Sequence, residues 1–103
     1  MSKETWTFHK KVEYDTNMNV HIKATIKVEG NHAIVTVKFD NDEPTDTDVT
    51  FDTLMTIEKT ILKDNANKRL KNLVMTDTIV LTKDEDGKYI EIPVEDGGTD
   101  VVK

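Results

Sequence analysis

The sequence predicts a two-layer α+β fold: an antiparallel sheet in the chain order β-β-β-α-β-β, with one long helix packed on one of its faces. Three observations carry that expectation. Apolar and polar residues alternate through most of residues 5–39, a helical period follows a polar break at 40–48, and short strand-like runs return after residue 78. A chain of 103 residues with 36% hydrophobic and 33% charged residues is long enough for one such domain. Residues 1–94 are expected to form it, with 95–103 as a flexible acidic tail.

The first strand is read over Thr5 to Tyr14, with Trp6, Phe8, Val12 and Tyr14 on one side and Thr7, His9, Lys11 and Glu13 on the other. Lys10 falls on the apolar side. Asp15-Thr16-Asn17 supplies a turn into a second strand, in which Val20, Ile22, Ala24, Ile26 and Val28 alternate with polar residues. With Gly30 and Asn31 as the central residues of a tight turn, Glu29 faces His32, Val28 faces Ala33, Ile26 faces Val35, Ala24 faces Val37 and Ile22 faces Phe39. A slip of one residue would expose a whole apolar set, so pattern and turn select the same register. Gly30 is expected to adopt a positive φ.

Residues 40–48 are polar and read as a loop. From Thr50 the residues Phe51, Leu54, Met55, Ile61 and Leu62 form a stripe flanked by Ile57, with Asp48 or Thr50 as the cap. Ala66, Leu70 and Leu73 extend the stripe, so one helix to about Leu73 is expected despite the weak helix formers at 64–67. Residues 79–82 and 88–92 then flank Asp84-Glu85-Asp86-Gly87, a hairpin expected to place Ile79, Leu81, Ile90 and Ile92 on a common face and to end at Pro93.

Composition excludes much chemistry. There is no cysteine, hence no disulfide, thiolate nucleophile or cysteine-based zinc site, and Ser2 is the only serine. No phosphate-binding loop, dinucleotide fingerprint or zinc-protease helix is present, so no catalytic residue and no cofactor is assigned and the chain is expected not to be an enzyme. No metal site is expected either. His9, His21 and His32 lack the close spacing of a metal pair along one strand, and the aspartates from Asp40 fail the EF-hand template, with Thr45 and Phe51 where Gly and Glu are needed. No leader-like or membrane-length apolar run occurs, which suits a cytoplasmic protein.

Charge is the one feature with a functional slant. Asp40, Asp42, Glu43, Asp46, Asp48 and Asp52 lie in a stretch without Lys or Arg and equal the net charge of −6. These six form a candidate surface for a protein partner that is itself basic, which is the mode of small acidic inhibitors and immunity proteins of nucleic-acid-processing enzymes. The simpler reading is a solvated loop. Lys11, Lys23, Lys27 and Lys38 share the polar sheet face and define the alternative, direct binding of nucleic acid, against which the negative total charge and the inward aromatics argue. A third alternative is self-association through an edge strand, the chain being monomer or homodimer, since Ile34 interrupts the polar face. Lys10 and Glu58 both break the apolar pattern; each can reach water along its own stem, or the two can form a structural ion pair. The compact build and Lys/Asn/Asp/Thr-rich composition suggest a bacterial or phage accessory protein.

Overall fold

The hairpin at Gly30-Asn31 forms in the register that the alternation selects. In a computed structural model, which describes residues 5–94 and the backbone of 100–101, β2 (His21–Glu29) pairs antiparallel with β3 (His32–Phe39). Glu29 lies opposite His32, Ile26 opposite Val35 and Ile22 opposite Phe39. Gly30 has φ +59° and Asn31 does not share a positive φ, the type II′ pattern that matches the twist of the flanking strands.

β1 (Trp6–Thr16) pairs with β2 over Lys11–Asp15 only, so the two strands part toward their other ends. β3 continues through a turn into β4 (Thr45–Thr50), where an all-loop stretch was expected. This strand has no apolar face: Thr45, Asp46, Thr47 and Asp48 are exposed and Val49 alone is partly buried. Edge position permits that composition, since an edge needs backbone pairing on one side only.

α1 (Phe51–Ala66) starts where the sequence indicates. Thr50, in extended conformation, accepts the Thr53 N–H at 3.1 Å, and Asp52 sits in the positively polarised first turn. The helix ends earlier than expected. Lys68 takes φ +60°, its N–H bonds to the Asn65 carbonyl and the Arg69 N–H to the Asp64 carbonyl, a Schellman closure. The weak helix formers at 64–67 thus prevail over the stripe, and Leu70 and Leu73 belong to β5 (Leu70–Lys83) instead. There Leu73, Met75 and Leu81 are fully buried, which a helical continuation into solvent would not achieve.

β5 pairs with β1 from Trp6↔Leu81 to Thr16↔Leu70, with a bulge opposite Tyr14 where Asn72 has φ +58°. It then pairs with β6 (Tyr89–Pro93). The turn before β6 holds five residues, 84–88, so Lys83 faces Tyr89 and Val80 faces Ile92. That single extra residue corrects the expected face: Ile79 and Leu81 point into the core, while Ile90 and Ile92 lie on the outer face. β7 (Asp100–Val101) pairs with Val74 and Met75; the rest of the expected tail, 95–99 and 102–103, lies outside the described residues.

The strand order β4-β3-β2-β1-β5-β6 therefore splits the opening meander from the C-terminal hairpin at β1, with α1, the one helix among the described residues, packed on one face. The core is Phe8, Val12, Ala24, Ile26, Ala33, Val35, Phe51, Leu54, Leu73, Met75, Ile79 and Leu81. At the helix N-terminus Trp6, Phe51 and Tyr89 close its end, with ring centroids 5.1–6.0 Å apart.

Candidate interaction surfaces

The acidic stretch is divided by the fold. Asp40, Asp42 and Glu43 project from the β3–β4 turn, Asp46 and Asp48 from the outer face of β4, and all five are exposed. Asp52 belongs elsewhere: on the first turn of α1 its carboxylate accepts the Trp6 indole N–H at 2.9 Å. The edge aspartates also have structural partners. Asp46 accepts the Thr36 hydroxyl at 2.7 Å, Asp48 meets His32 Nδ1 at 2.5 Å, and Asp40 accepts the His21 N–H at 3.0 Å. Each is one bond, so the carboxylates keep most of their acceptor capacity toward solvent.

Lys11, Lys23, Lys27 and Lys38 do share the outer face, and all are exposed. Cross-strand rows interleave them with carboxylates: Glu13 faces Lys23, which faces Lys38, and Lys27 faces Ile34, which faces Asp48. Lys11 approaches Asp77 and Lys27 approaches Glu29, each at 3.5 Å. The basic face and the acidic edge are one mixed surface that grades toward negative at β4.

On the same face His21 lies between two carboxylates, Glu13 Oε2 and Asp15 Oδ1, each at 2.7 Å from a ring nitrogen. The hydrogen bond to Asp15, then that to Glu13, raises its pKa above the ordinary histidine value. The Asn72 amide and then His21 lower that of Asp15. The group is a charge-assisted clamp between β1, β2 and the β5 bulge. Among the described residues no three His, Asp or Glu side chains are disposed to hold a metal ion.

Lys10 and Glu58 do not meet. Lys10 pairs with Glu91 of β6 at 2.7 Å, and Glu58 accepts the His9 N–H at 2.8 Å and contacts His9 Nδ1 at 3.0 Å. The His9 and Glu58 side chains are only 17% and 13% exposed, so Glu58 is not a rim residue reaching water. It lies where β1 and β2 have parted, and its carboxylate supplies the acceptor that the missing ladder does not.

Two concave regions flank these features. A cleft of mixed polarity, about 670 Å³, opens between the two hairpin tips, lined by Gly30, Asn31, Lys88 and Tyr89 among others. An apolar groove of about 370 Å³ runs between α1 and the β2–β3 side of the sheet, with Ile22, Val37 and Phe39 below and Thr53, Ile57, Thr60 and Asp64 above. Sequence reasoning missed the groove. Its signal was present in Phe39 and Ile57, apolar residues with inward periodicity that the single helix leaves 43% and 37% exposed.

Among the described residues no helix is long and apolar enough to cross a membrane. No family model, no curated protein and no solved structure matches the chain.

Proposed function

We propose that the chain is a small non-catalytic interaction module that binds a protein with a basic surface through its β3–β4 edge. The observation that carries this reading is the alignment of Asp40, Asp42, Glu43, Asp46 and Asp48 along one turn and one edge strand, all exposed, with no Lys or Arg in residues 39–58. Such an edge steers a cationic partner and its effect weakens in salt. In this reading the partner's basic surface is the one it uses for nucleic acid, and covering that surface is the module's action, as for an acidic inhibitor in the cytoplasm. Direct nucleic-acid binding is less well supported, because the four outer lysines are interleaved with Glu13, Asp46, Asp48 and Asp77.

The test is capture of partners from lysate of the source cells at 50 and 500 mM salt, with Asp42→Asn, Glu43→Gln, Asp46→Asn and Asp48→Asn combined as control. A partner lost in both salt and the variant is the expected result; retention in both overturns the reading.

A second reading rests on a separate observation. Ile90 and Ile92 are 41% and 48% exposed on β6, an edge strand, which favours pairing with another copy. Sedimentation equilibrium of the wild type and of Ile92→Lys tests it, a dimer converted to monomer being the supporting result.

A further inference from the structure

α1 packs over β1, β3, β4 and β5 and buries Ala24, Ile26, Ala33 and Val35, but it leaves the Ile22, Val37 and Phe39 end of the inner sheet face incompletely covered. The result is a groove with three properties that together describe an occupant. The first is its length. Its helical wall runs from Thr53 to Asp64, a span of about 16 Å at 1.5 Å per residue, which suits an elongated segment rather than a compact ligand.

The second is its chemistry. The sheet floor is almost wholly aliphatic or aromatic, the helical wall carries Ile57 and Ile61 among threonines, and two of those hydroxyls are turned to the helix: Thr56 donates to the Asp52 carbonyl at 3.1 Å and Thr60 to the Thr56 carbonyl at 2.9 Å. The groove thus rewards apolar side chains and offers little for a polar ligand to bond. Phe39 and Ile57, one on each wall, are the exposed aliphatic and aromatic surfaces an anchor would cover.

The third is its charge. Among the described residues Asp64 is the only charged one in the lining, and Asp40 and Asp42 follow directly from Phe39, in a turn closed by the Asp42 N–H on the Phe39 carbonyl at 2.8 Å. Among the described residues no cation lines the groove itself, and Arg69 reaches Asp64 from outside it at 3.7 Å. Tyr14, at its inner end, is half-buried, and burial followed by the nearby Asp64 carboxylate pushes its phenol up. A cation that approached this end would meet Asp64, which already lies 3.7 Å from Arg69 Nη1, and, beyond Phe39, the exposed Asp40 and Asp42.

We propose that this groove receives an amphipathic helical segment of the basic partner, with apolar residues at i, i+3 or i+4 and i+7 seated between Phe39 and Ile57 and with Lys or Arg directed to Asp64, Asp40 and Asp42. The inference rests on the reading of the β3–β4 edge as the surface for a basic partner and gives it an apolar anchor: the edge steers encounter, and the groove supplies residence time.

The probe is a fluorescein-labelled 14-residue Leu/Lys peptide with helical amphipathic spacing, compared with a scrambled peptide of the same composition and with an analogue in which Gln replaces Lys. Anisotropy is read at 50 and 300 mM salt against wild type, Ile57→Lys and Phe39→Ser. The expected result is binding of the amphipathic peptide, at least tenfold weaker binding of both controls, and at least a tenfold loss with each variant. Circular dichroism and melting confirm that each variant folds; if Ile57→Lys does not, Phe39→Ser carries the test, since a residue 43% exposed can be shortened without opening the core.

Absence of peptide binding overturns the inference, as does equal binding of the scrambled peptide or full affinity in the folded variants. Equal binding of the Gln analogue makes the groove a general apolar site and also overturns it. Conversion of a dimer to a monomer by Ile57→Lys assigns the groove to a second copy. The edge reading stands or falls on partner capture with the four-residue amide variant, in which Asp42 alone borders the groove, and the groove stands or falls on Ile57→Lys and Phe39→Ser, which leave all four edge carboxylates in place.

Discussion

The sheet divides at the β1–β2 seam into two halves, β4-β3-β2 and β1-β5-β6, and the two edge strands are built on opposite principles. β4 is held by its backbone ladder to β3 and by two exposed side-chain bonds, Asp46 to Thr36 and Asp48 to His32, with Val49 its one apolar inward residue. β6 is held by side chains as well: Tyr89 packs on Trp6 and Phe51, Lys83 lies 5.0 Å over the Tyr89 ring, and Glu91 pairs with Lys10. On the outer face β6 presents Ile90 and Ile92 where β4 presents carboxylates. Charge on an exposed edge repels an added strand, and apolar side chains invite one. The comparison teaches that one edge is guarded and loosely anchored, a surface for contact by charge, while the other is anchored firmly and left apolar.

The largest effect is expected where anchoring differs. Tyr89→Ala should cost about 2–3 kcal/mol in urea unfolding, because it removes the ring that both Trp6 and Phe51 contact, whereas Val49→Ala should cost about 1 kcal/mol. Equal losses would break the comparison. At the seam between the halves, Glu58→Ala should cost about 2 kcal/mol by leaving the His9 N–H without the Glu58 acceptor. Glu58→Gln should lose less than half of that, since an amide oxygen can still accept the bond; a loss equal to that of Ala would mean that the carboxylate charge is what counts.

Smaller effects sharpen the same division. Lys68 is the αL residue through which the chain leaves α1 and enters the second half, so Lys68→Gly should stabilise by about 0.5–1 kcal/mol, read as a raised melting temperature. The smallest expected effect is the pH dependence of the clamp at His21. The folded-state pKa of His21 is raised, so its contribution is fully present below the unfolded value of about 6.5 and is lost as pH climbs through the folded value. Asp15 is lowered, so its contribution is present above its ordinary carboxylate value and is lost as pH falls through the folded one. The clamp is therefore strongest between those limits. NMR titration should show His21 titrating above 6.5 and returning toward it in Asp15→Asn.

The hairpin of β2 and β3 was fully legible in the sequence, because Gly30, the two-residue turn and the alternation are local and mutually consistent. β4 was missed because edge strands need no apolar face; its run of Thr and Val, branched at Cβ, was the available signal. The helix end was misplaced because an i, i+3 pattern can be continued on paper past Asn67, while backbone closure at Lys68 depends on whether Leu73 and Met75 find a better burial site. The second hairpin turned on one residue of loop length, which flips faces without altering composition.

Of the candidate sites, the sequence located the acidic residues and the lysines but not their mutual arrangement. Asp52 left the group for Trp6, and Lys10 and Glu58 each found a partner 81 and 49 residues away. By itself, then, the amino-acid order determined the properties that depend on neighbours along the chain: strand and helix periods, the Gly30 turn, the Thr50 cap and the negative stretch at 40–52. Tertiary structure decided which strands became edges, how much of the inner face one helix could cover, and which charges met. These are set by burial and pairing between distant segments, whose free energy has no local counterpart for a periodicity to reveal.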